Sequence, residues 1–184
     1  MPFFVVLLNN LSKMTSIKNE IIGTWELLSY IEVPVDGVDS FFPFGKSPKG
    51  LLLYSPDGYM AVQISGSDEI RYISNDRMQA SAEELDRRVR GYIAFSGKYT
   101  IDNRNAHVIY DISNSLFPNW EESQQVRKLD FEGDVLYQKS LEPIRSGGQT
   151  VHAYMTWKRI GRAVDLTEFH EEAITDFLIE ASPK

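Results

Sequence analysis

Asn105–Leu136 reads NAHVIYDISNSLFPNWEESQQVRKLDFEGDVL, and how this stretch pairs decides the fold. It predicts a strand over Ala106–Ser113, a connection carrying Phe117-Pro118-Asn119-Trp120, and a second strand over Gln125–Phe131. A tight Glu132-Gly133-Asp134 turn then opens a third strand. Strands put every second side chain on one face. In the second strand Arg127 shares a face with Gln125, Leu129 and Phe131, while Lys128 and Asp130 belong in water. Arg127 is therefore expected on the buried face, where a guanidinium needs partners. In the first strand the set Ala106, Val108, Tyr110 and Ile112 is more apolar than His107, Ile109, Asp111 and Ser113. Simple alternation would turn His107 outward. Asp111 as a partner for Arg127, and an outer wall of Val108 and Ile112 for a C-terminal helix to pack on, argue the other way. The reading adopted places His107, Asp111 and Arg127 together inside.

Outward from this stretch, further strands are expected over Gly23–Val33, Gly50–Tyr54, Tyr59–Ser65, Phe95–Ile101, Asp134–Leu141 and Val151–Arg159. Ser55-Pro56-Asp57-Gly58 is a strong turn signal between two of them. Ser81 and Glu84 form a capping box opening a helix to about Ile93, whose arginines Arg87, Arg88 and Arg90 read as a solvated face. Pro34–Lys49 is a long connection with Phe41, Phe42 and Phe44, either a lid or a plug for one end of the core. Eight antiparallel strands joined mostly as hairpins can close into a barrel that holds one small ligand. The chain thus divides into an N-terminal extension over 1–15, an all-β antiparallel barrel with flanking helices over 16–161, and a C-terminal amphipathic helix over 162–184. In that helix Leu166, Phe169, Ala173, Ile174, Phe177 and Leu178 share a stripe.

The 184 residues suit one domain, and 42% of them are hydrophobic. A net charge of -7 argues against a nucleic-acid partner. With no cysteine, disulfides, zinc thiolates and cysteine nucleophiles are excluded. No apolar run reaches the length of a membrane span. Phe3–Leu8 lacks the basic flank of a signal peptide, so a cytoplasmic protein without a membrane partner is expected. Three histidines cannot build a histidine-rich metal site, and the expected metal content is none. Gly147-Gly148 is a turn, because no phosphate-loop lysine follows it.

The segments GTWELLSY (23–30), GLLLYSPDGYMAVQI (50–64), FSGKYTID (95–102), HVIYDISNSLFPNW (107–120), QVRKLDFEGDVL (125–136) and MTWKR (155–159) occur in this order. Together they resemble the bacterial and fungal lipocalin-like domain family over about residues 20–160. The resemblance implies an eight-stranded up-and-down β-barrel with a ligand cavity. It also implies a late arginine, here Arg159, stacked on Trp25 of the Gly-x-Trp segment at the closed end. Members often lie in natural-product pathways, where some look like cyclases or isomerases.

The candidate catalytic set is His107 and Arg127, with Tyr99 and Tyr54 as phenol donors. Histidine titrates near neutrality, and arginine can polarise a carbonyl. Candidate ligand contacts are Asp111, Gln125, Phe117, Trp120, Phe44, Met155 and Trp157. His107 and Asp111 stand about 13 Å apart along one strand, so they do not meet directly. A His–Arg–Asp cluster can equally be satisfied polar core. Two functions follow: a cofactor-free cyclase or isomerase acting on a small hydrophobic substrate, or a carrier of an apolar metabolite. A homodimer is open on either reading.

Overall fold

A computed structural model describes residues 16–37, 39–67 and 71–162. A five-residue helix, α1 (Ile17–Ile21), leads into strands β1 (Gly23–Pro34), β2 (Lys49–Tyr54) and β3 (Tyr59–Ser65). Helix α2 (Ala82–Arg90) follows, with both halves of the Ser81–Glu84 capping box formed. Then come β4 (Tyr92–Asp102), β5 (His107–Ser115), a 3₁₀ turn at Pro118–Trp120, β6 (Gln124–Glu132), β7 (Val135–Ser140), β8 (Ile144–Ser146) and β9 (Gln149–Gly161). Each strand from β1 to β7 pairs antiparallel with the next, β7 pairs with β9, and β9 returns to β1, which closes the barrel. Eight strands make the wall. The short β8, which sequence alternation did not reveal, forms a hairpin with β9. The expected C-terminal helix lies outside the described residues.

The closed end is built around Trp25. Its indole donates to the Ile21 carbonyl (2.8 Å), and the Arg159 guanidinium lies 4.1 Å from its ring centroid. Arg159 also donates to the carbonyls of Glu20 (2.6 Å) and Ile22 (3.1 Å), tying the end of β9 to α1. Gly23 is required here: its φ is +135°, and a Cβ would sit 2.4 Å from the Gly161 carbonyl oxygen. At the open end Pro43 and Phe44, the end of α2, the β5–β6 connection at Leu116, Phe117 and Trp120, and β8 gather around the mouth.

Two registers decide what faces inward. In β1 the pairing with β9 shifts between Leu27 and Ser29. A β-bulge moves later residues to the opposite face. Before it Trp25 and Leu27 are buried; after it Tyr30 and Glu32 are. Unbroken alternation would place Ser29, Ile31 and Val33 on the Trp25 face, and the bulge reverses this. In β5 the pairs are Val108↔Arg127, Tyr110↔Gln125 and His107↔Lys128. Residues directly opposite in a pair share a face. The buried members of β5 are Val108, Tyr110 and Ile112.

Candidate functional site

Arg127 is buried, 6% exposed, and enters the interior from the middle of β6. One guanidinium nitrogen donates to the Gln125 side-chain carbonyl and another to the Val126 backbone carbonyl (3.2 Å). Among the described residues it makes no ion pair; Tyr30, Tyr54 and Tyr110 are its electrostatic neighbours. Burial pushes its pKa down, opposed by the three phenols.

Beside it lies a phenol–amide cluster. The Tyr54 and Tyr110 hydroxyls bond to each other, and Gln138 Nε2 donates to both, at 2.9 and 3.1 Å. The Gln138 carbonyl oxygen in turn accepts from the Trp157 indole (3.0 Å). Burial raises the pKa of both tyrosines, so they stay protonated donors near neutrality. Arg127, Tyr110, Gln138 and Trp157, with Met60, Val62, Phe95 and Met155, line a small inner chamber of about 20 Å³.

An outer cavity of about 250 Å³ opens above it at the mouth, lined by Phe44, Tyr92, Phe117, Trp120, Arg145 and Ser146 among others. Tyr30, Ile93, Trp120 and Ile144 line both spaces, so the two adjoin. Trp120 stands edge-on to Phe95 (5.8 Å) and to Phe117 (5.4 Å). Glu32 also lines the outer cavity at 2% exposure. The Tyr30 hydroxyl donates to its Oε1 (3.2 Å), while Oε2 is buried without a hydrogen-bond partner among the described residues. Burial raises the Glu32 pKa, and the neighbouring Ser146 and Tyr30 hydroxyls oppose the shift by less.

The chain belongs to the lipocalin-like domain family. The family's model, a lipocalin-like domain, matches residues 22–160, which is the barrel just described. The chain is also similar to a 4'-hydroxy-3'-methoxypropiophenone carrier protein of Aspergillus oryzae. They are 26% identical over 109 residues, covering 56% of this chain and 98% of that protein.

Set against this lipocalin-like barrel, the sequence candidates separate. Arg127 and Tyr54 lie inside, and Gln125 is drawn to Arg127. Trp157 and Met155 line the inner chamber, Phe44 and Phe117 the outer cavity, and Trp120 both. His107 is corrected: it lies on the outer face, opposite Lys128, because Val108 and Tyr110 take the inner positions. Asp111 is corrected with it; its carboxylate accepts from Gln124 (2.6 Å) on the outer side. Tyr99 is buried edge-on to Tyr54 at 4.9 Å, but its hydroxyl donates to the Ser55 carbonyl (2.8 Å) in the β2–β3 turn. That turn leaves Tyr99 no free donor toward the cavity. In the long β1–β2 connection, Phe44 borders the cavity, whereas Phe41 pairs through its backbone with Glu32 and Phe42 is exposed.

Sequence reasoning missed Tyr30, Glu32, Tyr110 and Gln138. The first two were hidden by the bulge, which leaves no mark in the alternation. Tyr110 was legible, since it belongs to the more apolar set of its strand. Gln138 alternates with Leu136 and Ser140 against Tyr137 and Lys139, and an amide on a buried face is a usable signal. Among the described residues no cluster of histidine and carboxylate groups could hold a metal ion. No helix among them is long and apolar enough to cross a membrane.

Proposed function

We propose that this barrel binds and carries a small aromatic ketone or related oxygenated aromatic compound. One observation carries the reading: Arg127 is buried on the wall of a mostly apolar cavity with no anionic partner among the described residues. A buried guanidinium strongly favours an oxygen acceptor, and a ligand carbonyl supplies one. Apolar walls with a few placed polar groups are what a carrier needs. The Aspergillus oryzae relative, named as the carrier of an aryl ketone, supports the same class of ligand. The aromatic rim of Phe44, Phe117 and Trp120 suits a ring in the outer cavity, with its oxygen toward Arg127.

The test is a calorimetric titration of the purified protein with 4'-hydroxy-3'-methoxypropiophenone and with simple aliphatic ketones. Saturable binding of the aryl ketone, weakened about tenfold or more by Arg127→Met, is expected from the loss of a charge-assisted hydrogen bond. No binding of any aryl ketone overturns the reading.

Cyclisation or isomerisation by proton transfer is a second reading, favoured by Glu32. A carboxyl whose pKa is raised by burial, lining a cavity beside a phenol, has the character of a general acid. His107, on the outer face, cannot share that role. Exchange of the protons α to the ketone in D2O, followed by NMR, separates the readings. Exchange accelerated by the protein and abolished by Glu32→Gln favours catalysis; unaccelerated exchange with retained binding favours the carrier.

A further inference from the structure

We infer that Glu32 is the acceptor for a hydroxyl on the outer end of the ligand, so that the site selects hydroxyaryl carbonyl compounds over their O-methyl ethers. The inference rests on the binding reading above and adds a second anchor to it. Its basis is an orphaned atom. Glu32 is 2% exposed and lines the outer cavity, and among the described residues its Oε2 is buried with no hydrogen-bond partner, the neighbouring Ser146 hydroxyl making no bond to it. A buried acceptor left unpaired is costly, and the Tyr30 hydroxyl already serves the other oxygen. An O–H donor arriving in the cavity would satisfy it.

The placement gives the ligand a direction. Arg127 offers donors from the inner chamber, and Glu32 offers an acceptor at the mouth. Tyr30 lines both spaces, bonds to Glu32 and lies in the field of Arg127. A molecule reaching from one to the other needs an acceptor at its inner end, an aromatic body against Trp120 and Ile144, and a donor at its outer end. A phenol carrying a carbonyl group across the ring has this pattern. Methylating the hydroxyl removes the donor and places a methyl group against a carboxyl oxygen. That change penalises the ether both by the lost bond and by burying Glu32 unpaired.

The experiment measures the affinities of 4'-hydroxy-3'-methoxypropiophenone and 3',4'-dimethoxypropiophenone for the wild-type chain, Glu32→Leu and Glu32→Gln. The expected result is a preference of about tenfold for the phenol in the wild type, from one buried hydrogen bond that the ether cannot make. The preference should shrink to within about twofold in Glu32→Leu. Equal wild-type affinities overturn the inference, as does a preference that survives both substitutions; in either case the carrier reading stands. Failure of both compounds to bind the wild type overturns the carrier reading and this one with it. Should Glu32→Leu fail to fold, Glu32→Gln decides: a preference reduced about threefold or more supports the role of the carboxylate, and an unchanged one rejects it.

Discussion

The guanidinium of Arg159 lies over the indole of Trp25 at 4.1 Å, joining the last strand to the first where the barrel closes. The two residues are direct cross-strand partners, and the arginine continues past the ring to the carbonyls of α1. Its Nε lies 3.2 Å from Asp134 in the β6–β7 turn, so one side chain ties three parts of the closed end together. Trp25→Ala should cost about 3–5 kcal/mol as a large-to-small core change. Denaturant unfolding with an unchanged slope would measure it. Arg159→Lys should also destabilise, because an ammonium cannot hold two carbonyls while stacking flat on the ring.

Gln138→Leu tests the inner cluster. The substitution leaves the Trp157 indole and two phenols without their shared partner. Each buried polar group left unpaired costs about 1–3 kcal/mol, although Tyr54 and Tyr110 keep each other. A stability loss of about 2–4 kcal/mol is expected by thermal or chemical unfolding. Leucine tolerated at no cost would show that a water replaces the amide.

Glu32 gives a pH dependence with a definite sign. Burial raises its folded-state pKa above the ordinary value of 4.5, so the folded chain holds this proton to higher pH than the unfolded chain does. Its contribution to stability is fully present below 4.5 and is lost as pH rises through the raised value. Glu32→Gln cannot titrate. The stability of that variant relative to wild type should therefore increase across this window and level off above it. A difference independent of pH would mean that Glu32 titrates normally.

His107→Ala should leave ligand affinity unchanged and alter stability by no more than about 0.5 kcal/mol, as expected of an outer-face position. The same calorimetric titration used for Arg127→Met provides the comparison. A large loss of affinity would require an inward histidine, contrary to the β5–β6 register.

Trp120→Phe should reduce any ligand-induced change in tryptophan fluorescence while leaving the fold intact. Trp120 borders both spaces, whereas Trp25 and Trp157 are fully buried. Steady-state emission of the variant, with and without the aryl ketone, checks this.

The sequence by itself determined the barrel. Period-two patterning, the Ser55–Gly58 turn, the capping box at Ser81 and the Gly23–Trp25 start are local signals, and each specifies its own segment. Arg127 was legible for the same reason, because its neighbours Lys128 and Asp130 can only face water. The partners of Arg127 were not legible. Strand pairing sets which residue of β5 lies opposite Arg127, and that choice fell on Val108, on the face of Tyr110, rather than on the face of His107 and Asp111. The simple apolar pattern of β5 prevailed over the demand for a charged partner, since tyrosines and an amide could surround the guanidinium instead. Glu32 was decided only by tertiary structure. The β1 strand pairs with β2 near its start and with β9 along its length, and the shift near Leu28 turns every later residue over. A one-residue shift exchanges the faces of a strand, and nothing in the order of Ser29, Tyr30, Ile31 and Glu32 announces it.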